Sequence, residues 1–256
     1  MAFCEPAEVI SVARITPAMM RIRLRALGDW RWHVTGFGDE RIDLAFPREH
    51  ESVAEVAYFN NEHLAEEAGD GEPPWRHYTV RSVHAQGAEL EIDFAIHQVG
   101  VASNWVQRAE PGHVLGVFCG SSAPRAYYAP PQDADWQLLV ADSTGLPGLG
   151  RIVEELEPGQ RAIAVIEVPS EADRQEIETD AQVQWVWLVG PGGEQSVLPE
   201  AVNSLVLPGG SGYVWGALEA SAARAVRKEL KQVHGVPRDR QRIVGYWNAG
   251  LAGHVD

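Results

Sequence analysis

The sequence predicts a protein of the β plus α/β class, in which an antiparallel β-barrel is followed by a doubly wound parallel sheet. Short segments of alternating apolar and polar residues fill the first half of the chain, whereas apolar runs alternate with helical patterns in the second half. With 256 residues, the chain is long enough for two small domains. We expect the first domain to span residues 1–130 and the second to span residues 131–256, with a cleft between them.

The first domain is expected to contain six strands and little helix. Residues 20–26 alternate apolar and charged side chains, and residues 89–96 repeat the same period of two, which is typical of half-buried antiparallel strands. Six short strands favour a small closed or partly closed barrel. The acidic segment 49–74 is interpreted as a surface excursion with at most a short helix. The strands are predicted at residues 7–15, 20–26, 41–46, 78–83, 88–96 and 114–119.

A proline-containing segment marks the expected change of domain. Pro130 and Pro131, within residues 126–135, break any regular element and make this segment the best linker candidate. Beyond it, apolar residues at helical spacing indicate one helix that ends at Pro158 and another that ends at Gly235. The runs between them are continuously apolar, as in a parallel sheet covered on both faces. These strands are predicted at residues 136–141, 162–168, 184–189, 213–218 and 243–247.

The charge of the chain limits what it is expected to bind. The 21 basic and 36 acidic residues give a formal net charge of −15, which repels nucleic-acid backbones and anionic lipid surfaces. We therefore expect neither nucleic-acid binding nor stable membrane insertion. No segment reaches the roughly 18 apolar residues of a membrane helix, and the first residues lack the basic flank and apolar core of a secretory signal. An anionic ligand must be held by a local cluster of basic residues.

Cysteine and histidine usage argues against a disulfide framework or a metal site. Cys4 and Cys119 stand far apart and outside any C-x-x-C spacing, and the nine histidines lack the spacing of metal ligands. The sequence therefore predicts a reducing, cytoplasmic compartment. The absence of a G-x-S-x-G elbow disfavours a hydrolase, and the absence of a G-x-G-x-x-G turn disfavours a Rossmann dehydrogenase.

The densest cluster of functional side chains lies in residues 75–81, W-R-H-Y-T-V-R. We interpret Arg76, Thr79 and Arg81 as sharing, or nearly sharing, one face of a strand, where two guanidinium groups and a hydroxyl can bind a diphosphate. Tyr78, one position away, is suited to stacking on an aromatic ring. A strand with solvated arginines is the alternative that these residues alone leave open.

A second segment, residues 97–105 (H-Q-V-G-V-A-S-N-W), carries a weaker signal. Gly100 permits an unusual turn, and Ser103 is expected to cap a short helix. The first N–H groups of a helix favour anions such as a pyrophosphate. The segment therefore gains meaning only in combination with the arginine-bearing strand.

Together, the two segments resemble the flavin-binding half of the ferredoxin-reductase-like superfamily. The resemblance is closer to its siderophore-interacting protein family, the NADPH-dependent ferric-siderophore reductases. That family carries an R-x-Y-T-x-R strand, an H-x-x-G-x-A-S segment and a D-x-T-x-x-P turn in the second domain. The resemblance runs from about Val9 to Gly250. The matching residues are Arg76, Tyr78, Thr79, Arg81, His97, Gly100, Ala102, Ser103, Asp142, Thr144 and Pro147.

The resemblance implies a flavin-binding barrel that holds FAD. It places Arg76, Tyr78 and Thr79 along the isoalloxazine and ribityl part of FAD, with Thr79 near the reactive ring. The residues implied at or beside the pyrophosphate, and those that complete the implied FAD site, are Arg81, Ala102, Ser103 and His97, together with His77 and Gly100.

For the second domain, the resemblance implies a nicotinamide-binding parallel sheet. Asp142 and Thr144 follow a predicted strand, at the carboxyl end where such sheets bind ligands. Thr144 is expected to meet the nicotinamide end of NAD(P)H, and Glu219 and Trp247 are expected to belong to the same site. An ordinary turn carboxylate is the alternative for Asp142. No side chain is expected to act as a catalytic acid or base, because the flavin carries the chemistry.

The sequence departs from the family pattern where basic residues are usual. Asp43 stands where the family commonly has lysine, and Asn248 where it commonly has arginine. Without these cations, a neutral or cationic ferric chelate is expected to suit the site better than a tri-catecholate. Ser143 and Leu218 also depart from the pattern, close to the implied nicotinamide site.

The implied function is reduction of a ferric siderophore by NAD(P)H through FAD, with release of Fe(II). Two alternatives stay open. One is a flavoprotein reductase with a different donor or acceptor, such as ferredoxin in place of NADPH. The other is a chelate-binding protein of the same fold that is not an enzyme.

Overall fold

The computed structural model describes residues 3–61, 63, 71–97, 100–119 and 126–250. The chain divides into two compact units. The first consists of residues 1–15, 19–36 and 40–125, and the second of residues 16–18, 37–39 and 126–256. Part of the predicted surface excursion lies outside the described residues. Its described part contains one short helix, α1 (Val56–Asn60), in line with the expectation.

The first unit is a closed antiparallel barrel, which confirms the predicted architecture. Its strands are β1 (Phe3–Thr16), β2 (Met19–Ala26), β3 (Arg41–Ala45), β4 (Trp75–His84), β5 (Glu89–Ala95) and β6 (Val114–Cys119). Their order around the barrel is β1-β2-β5-β4-β3-β6. The first and fourth strands are longer than predicted, because residues 3–8 pair with β6 and residues 75–77 pair with β3. A short helix, α2 (Val101–Val106), follows β5.

The period of two in β2 separates a buried row of side chains from an outer row. On the outer row, Arg21 donates two hydrogen bonds to Asp93 of β5, at 2.7 and 2.8 Å. Cross-strand partners lie on the same face of a sheet, so the same alternation continues in β5. The buried row consists of Met20, Ile22 and Leu24 in β2, which face Phe94, Ile92 and Leu90 in β5.

The second unit is a five-stranded parallel sheet, which confirms the predicted doubly wound fold. The strands are β7 (Trp136–Ala141), β8 (Arg161–Val168), β9 (Gln182–Val189), β10 (Gly212–Glu219) and β11 (Gln241–Trp247). Their order is β11-β10-β7-β8-β9, and every pair is parallel. From β7 the chain continues to β8 on one side, whereas β10 joins β7 on the other. This reversal of strand order is where such sheets bind ligands, at the carboxyl ends of the strands.

Helices cover both faces of this sheet. They are α3 (Leu146–Glu154), α4 (Leu198–Asn203) and α5 (Ala220–Gln232). Val202 of α4 and Val226 of α5 share one apolar cluster with Leu138 of β7. On the other face, Gly148 of α3 packs against the ring of Trp215, where an added Cβ would stand 3.3 Å from the ring. Within the described parts of the chain, no helix combines the length and apolar character needed to cross a membrane.

Candidate functional site

The pairing of β4 with β3 fixes which face each side chain of the arginine-bearing strand occupies. Arg76 pairs with Leu44 and Tyr78 pairs with Ile42, and both partners are core residues. Arg76 and Tyr78 therefore lie on the core side of the sheet, and Thr79 lies on the opposite side. The expectation that Arg76 and Thr79 share a face is wrong, because they are three positions apart and side chains alternate between the two faces of a strand.

Tyr78 presents its ring at the edge of the barrel core. The ring packs against that of Phe94, with centroids 4.3 Å apart, and against that of Phe46 at 6.1 Å. Burial raises the pKa of the Tyr78 hydroxyl well above its ordinary value, and the charge of Arg76 opposes this shift. The hydroxyl is therefore neutral at physiological pH. Arg76 itself donates to the carbonyl oxygen of Trp75 at 2.6 Å.

On the outer face of β4, His77 contacts a carboxylate of the neighbouring strand. Its Nδ1 lies 2.5 Å from Oδ1 of Asp43 on β3. Arg41 approaches the same carboxylate oxygen at 3.5 Å, and the ring of Trp75 meets the His77 ring edge-on with centroids 5.1 Å apart. The acidic residue at position 43 is thus held by two potential cations.

Arg81 lies where the ladder between β4 and β5 is irregular. The register shifts between Val80 and Ser82, as in a β-bulge. The Arg81 guanidinium lies 3.7 Å from Asp93, the carboxylate that already receives two hydrogen bonds from Arg21. Two arginines therefore share one carboxylate.

The backbone at Gly100 has the unusual conformation that the sequence predicts. Gly100 has φ 145° and occupies the N-cap position of α2, so a residue with a side chain would be strained there. Ser103 lies inside the helix: its hydroxyl donates to the carbonyl of His97 at 2.7 Å and accepts from the His97 N–H at 2.9 Å. The expectation that Ser103 caps the helix is wrong, because its hydroxyl closes the turn instead. Residues 98 and 99 lie outside the described part.

The described barrel residues fit a flavin dinucleotide. A Cβ built on Gly100 would meet no atom within 4 Å, so the space beside this turn is open. Arg76 and Arg81 offer guanidinium donors, which suit a pyrophosphate. The partly exposed ring of Tyr78 offers an aromatic face. Ala102, by contrast, is buried in α2 and can contribute only its backbone.

In the second unit, Asp142 joins the carboxyl ends of three strands. It follows β7 and is only 6% exposed. One carboxylate oxygen accepts from the N–H and hydroxyl of Thr144, at 2.8 and 2.5 Å, and from the N–H of Gly145 at 3.3 Å. The other accepts from the Glu219 N–H and from the indole of Trp247, both at 2.9 Å. The five donors leave Asp142 a positioning role.

Glu219, at the end of β10, caps helix α5 with its side chain. One carboxylate oxygen accepts from the N–H groups of Ser221, at 2.6 Å, and Ala222, at 3.0 Å, and from the Ser221 hydroxyl. The other accepts from the N–H of Ala249 at 3.3 Å. Burial alone would raise the pKa of Glu219. These hydrogen bonds lower the pKa by more than burial raises it, so the net pKa lies below its ordinary value. Glu219 is an ionised structural cap.

The turn after β7 lies directly against β10. A Cβ on Gly145 would stand 2.0 Å from the carbonyl oxygen of Ala217, so only glycine fits this approach. The close contact sets the position of Thr144, which is half-buried, as is Trp247, whereas Asp142 and Glu219 are buried. The predicted residues Asp142, Thr144, Glu219 and Trp247 are therefore brought together at one edge of the sheet.

A cleft of about 470 Å³ opens at the same edge of the second unit. It lies between the loop that follows β9 and the chain that follows β11. The sequence interpretation found only Trp247 of its lining and missed the loop. The signal was the G-P-G-G run at residues 190–193, directly after an apolar strand. The lining residues are Pro191, Gly192, Gly193, Glu194, Gln195, Trp247, Ala249 and Gly250.

Two family models match this chain, one in each half. The siderophore-interacting FAD-binding domain matches residues 8–124. The siderophore-interacting protein domain matches residues 134–250. The matches together cover the barrel strands β2–β6, the sheet and the helices that cover it.

Relatives and solved structures agree with these matches. The ferric vibriobactin reductase ViuB of Vibrio cholerae is 32% identical over 184 residues, which cover 70% of this chain and 66% of ViuB. The NADPH-dependent ferric-chelate reductase of Escherichia coli is 27% identical over 94% of this chain and 91% of the relative. The crystal structure of a siderophore utilization protein from T. fusca superposes with a TM-score of 0.81 and 31% identity, covering 100% of this chain and 96% of that one.

Proposed function

This chain belongs to the siderophore-interacting protein family, and from that premise we propose that it is an FAD-dependent reductase that uses NAD(P)H to reduce ferric siderophores. The observation that carries the proposal is the presence of both family domains on one chain. The relatives named above are ferric-siderophore and ferric-chelate reductases. When bound, FAD supplies the chemistry, hydride acceptance from the nicotinamide and single-electron transfer to Fe(III).

The barrel residues support the binding of FAD in distinct ways. We propose that the ring of Tyr78 stacks on the flavin and that Arg76, on the same side of β4, holds a negatively charged part of the dinucleotide. Thr79 offers a hydroxyl on the other side of the strand. Arg81 adds a second guanidinium beside the irregular ladder.

The turn at Gly100 is proposed as the pyrophosphate support. Ser103 fixes the His97 backbone through two hydrogen bonds, so its contribution is to hold the turn rather than to bind the phosphate. The open space beside Gly100 then allows close approach of the backbone to a ligand. Ala102 contributes a backbone N–H, and His97 lies exposed next to the turn.

The sheet residues are proposed to present the nicotinamide. Thr144 carries the hydroxyl nearest the turn, and Asp142 holds that hydroxyl in place. Two hydrogen bonds position the ends of β10 and β11 around it. Glu219 accepts one from the N–H of Ala249, and the indole of Trp247 donates the other to Asp142. The protein's contribution is alignment, since no general acid or base is needed for hydride transfer to a flavin.

The substrate class that we propose is a ferric chelate without strong negative charge. Hard oxygen ligands such as hydroxamates bind Fe(III) well, and reduction to Fe(II) loosens the chelate. At position 43 the chain has a carboxylate held by His77 and Arg41 in place of the lysine common in the family. A tri-catecholate would lose an attractive cation there.

We propose that the reaction takes place in the cytoplasm. Both cysteines are free thiols, as expected for a reducing compartment. Burial, together with the nearby Cys119 and Glu5, raises the pKa of Cys4 to about 12, so this thiol stays protonated and unreactive.

The test is the absorbance spectrum of the purified protein after incubation with FAD and removal of the excess. The proposal expects one bound flavin per chain that is bleached anaerobically by NADPH or NADH. A flavin bleached only by reduced ferredoxin would reassign the donor. A chain that takes up no flavin, yet binds a ferric chelate, would overturn the proposal in favour of a binding protein.

A further inference from the structure

The cleft after β9 is a built feature of the second unit whose role the preceding functions leave unassigned. Its volume of about 470 Å³ falls within the range of small-molecule sites. It opens at the carboxyl edge of a doubly wound sheet, where nucleotides bind. We infer that this cleft takes the adenosine end of the nicotinamide donor and that Glu194 selects NADH over NADPH.

The loop that forms the cleft is fixed by a buried carboxylate. Glu167 of β8 is 2% exposed and accepts hydrogen bonds from the N–H of Gly192, at 3.0 Å, and from the hydroxyl of Ser196. Gly190 lies so close that an added Cβ would stand 2.2 Å from the same carboxylate. This carboxylate therefore anchors the cleft-forming loop to β8.

The other wall is supplied by the chain after β11. A Cβ built on Gly193 would stand 3.5 Å from the Cβ of Ala249 and 3.6 Å from the indole of Trp247. Gly192 and Gly193 have positive φ angles of 68° and 60°, which favour glycine. Because both residues are glycine, this stretch presents backbone without side chains to the cleft. An indole beside bare backbone is a suitable surface for a flat, aromatic base.

The charges around the cleft disfavour an additional phosphate. Glu194 is exposed, and among the described lining residues it is the only charged one, since none is lysine, arginine or histidine. The 2′-phosphate that distinguishes NADPH carries about −1.5 to −2 charge at pH 7. Placed beside Glu194, that phosphate meets repulsion and, among the lining residues that the structure describes, no basic partner.

The backbone donors at the start of helix α5 are already used. Helix α5 has 13 residues and begins at this edge, but its first N–H groups, of Ser221 and Ala222, bind the Glu219 carboxylate. The exposed carboxylate of Glu194 instead suits the ribose 2′-hydroxyl of NADH, because acidic residues of NAD-binding folds bind that hydroxyl. The cleft thus favours the donor that keeps its free hydroxyl.

This inference rests on the proposed function, so its test separates the two. Anaerobic stopped-flow reduction of the FAD-loaded protein is measured with NADH and with NADPH. We expect the second-order rate constant of flavin reduction by NADH to exceed that by NADPH by about tenfold or more, a difference of about 1.4 kcal/mol. Calorimetric titration with NAD⁺ and NADP⁺ gives the same comparison without turnover.

The Glu194→Arg variant is expected to reduce this ratio by about tenfold, mainly through tighter NADPH binding, and Glu194→Gln is expected to give an intermediate ratio. Glu178→Arg is the matched control, because it makes the same charge change at an exposed residue before β9. The eight-residue strand places it roughly 25 Å from the cleft. The control is expected to leave the ratio unchanged.

A wild-type protein that treats both donors alike or favours NADPH, or a ratio that Glu194→Arg leaves unchanged, would overturn the selection by Glu194 while leaving the reductase function intact. A flavin that dithionite bleaches but neither dinucleotide bleaches would remove nicotinamide as the donor, and with it both this inference and that part of the proposed function.

Discussion

The barrel strand β4 and the carboxyl edge of the parallel sheet hold their charges in opposite ways. Arg76 and Arg81 on the barrel are only partly buried, and Arg81 shares one carboxylate with Arg21. At the sheet edge, Asp142 and Glu219 are buried and accept several hydrogen bonds from the backbone. The barrel therefore carries cations suited to a ligand, whereas the carboxylates of the sheet edge hold loops in place.

This difference predicts separate consequences of substitution. Changes at the sheet edge should cost folding stability first, because buried donors lose their acceptor. A change at Arg76 of the barrel strand should cost ligand affinity first, because the hydrogen bond described for its guanidinium is to the carbonyl of the adjacent Trp75.

The largest effect is expected for Asp142→Ala. Its removal leaves donors of Thr144, Gly145, Glu219 and Trp247 without their acceptor. We expect a loss of about 3–5 kcal/mol in the free energy of unfolding, measured by urea denaturation. Asp142→Asn keeps one acceptor and should lose less. A loss below about 1 kcal/mol for the alanine variant would show that the hydrogen bonds to Asp142 do not stabilise the fold.

Asp39, another buried carboxylate of the second unit, tests whether removing such an acceptor destabilises the fold. It accepts from the indole of Trp215 at 2.9 Å and from the N–H groups of Tyr127 and Tyr128 at 2.8 and 2.9 Å. Asp39→Ala should therefore destabilise the protein by about 2–4 kcal/mol. An exposed carboxylate, Asp180, provides the control, since Asp180→Ala should change stability by less than about 0.5 kcal/mol. Equal losses for the two variants would refute this expectation.

The pH dependence of that site has a definite sign. Burial raises the pKa of Asp39, although hydrogen bonds from Trp215, Tyr128 and Tyr127 lower it in part. Because the folded-state pKa lies above the unfolded value near 3.8, the contribution to stability is full below that value and is lost as pH rises through the raised pKa. Asp39→Asn should therefore gain stability relative to wild type between about pH 4 and pH 7. The free energy of unfolding of the two proteins is measured as a function of pH. Parallel pH dependences over that range would contradict the raised pKa of Asp39.

A smaller effect, on binding rather than folding, is expected for Arg76→Ala. Loss of a charged partner should weaken FAD by about 2–3 kcal/mol, roughly 30–150-fold in Kd, while the unfolding free energy changes little. Flavin fluorescence quenching measures the affinity. Arg25→Ala is the control, because Arg25 is an exposed barrel arginine paired with Glu89. Undiminished FAD affinity in Arg76→Ala would remove this arginine from the flavin site.

The smallest effect is expected for Asp43→Lys. The new cation should raise the ratio of turnover on anionic over neutral ferric chelates by about tenfold or less, since a partly exposed charge is screened by solvent. Initial rates with one chelate of each charge measure it. His77→Gln serves as the companion variant, since it removes the imidazole that holds Asp43 but keeps the carboxylate. A ratio that Asp43→Lys does not move would separate position 43 from substrate choice.

The sequence predicted what depends on local pattern. The alternation in residues 20–26 and the apolar run at 136–141 specified a barrel strand and a buried parallel strand, because side-chain periodicity follows directly from backbone geometry. The unusual turn at Gly100 was also predicted, since only glycine readily adopts its φ angle.

What the sequence could not give depends on partners that lie far along the chain. The side of β4 that carries Arg76 became clear only from its pairing with Leu44. The grouping of residues 37–39 with the second unit rests on contacts such as Asp39 with Trp215, 176 positions away. The cleft beside Trp247 likewise needs the approach of Gly193, which no local pattern reveals.

The central claim, that this chain passes electrons from a nicotinamide through FAD to chelated iron, is tested most directly by a single-turnover experiment. The FAD-loaded protein is bleached anaerobically with one equivalent of NADH and then mixed with a ferric hydroxamate in the presence of a chromogenic Fe(II) chelator. The account predicts that the flavin colour returns as two Fe(II) ions appear for each hydride consumed, since a hydride carries two electrons. A flavin that stays bleached, with no Fe(II) formed, would contradict it.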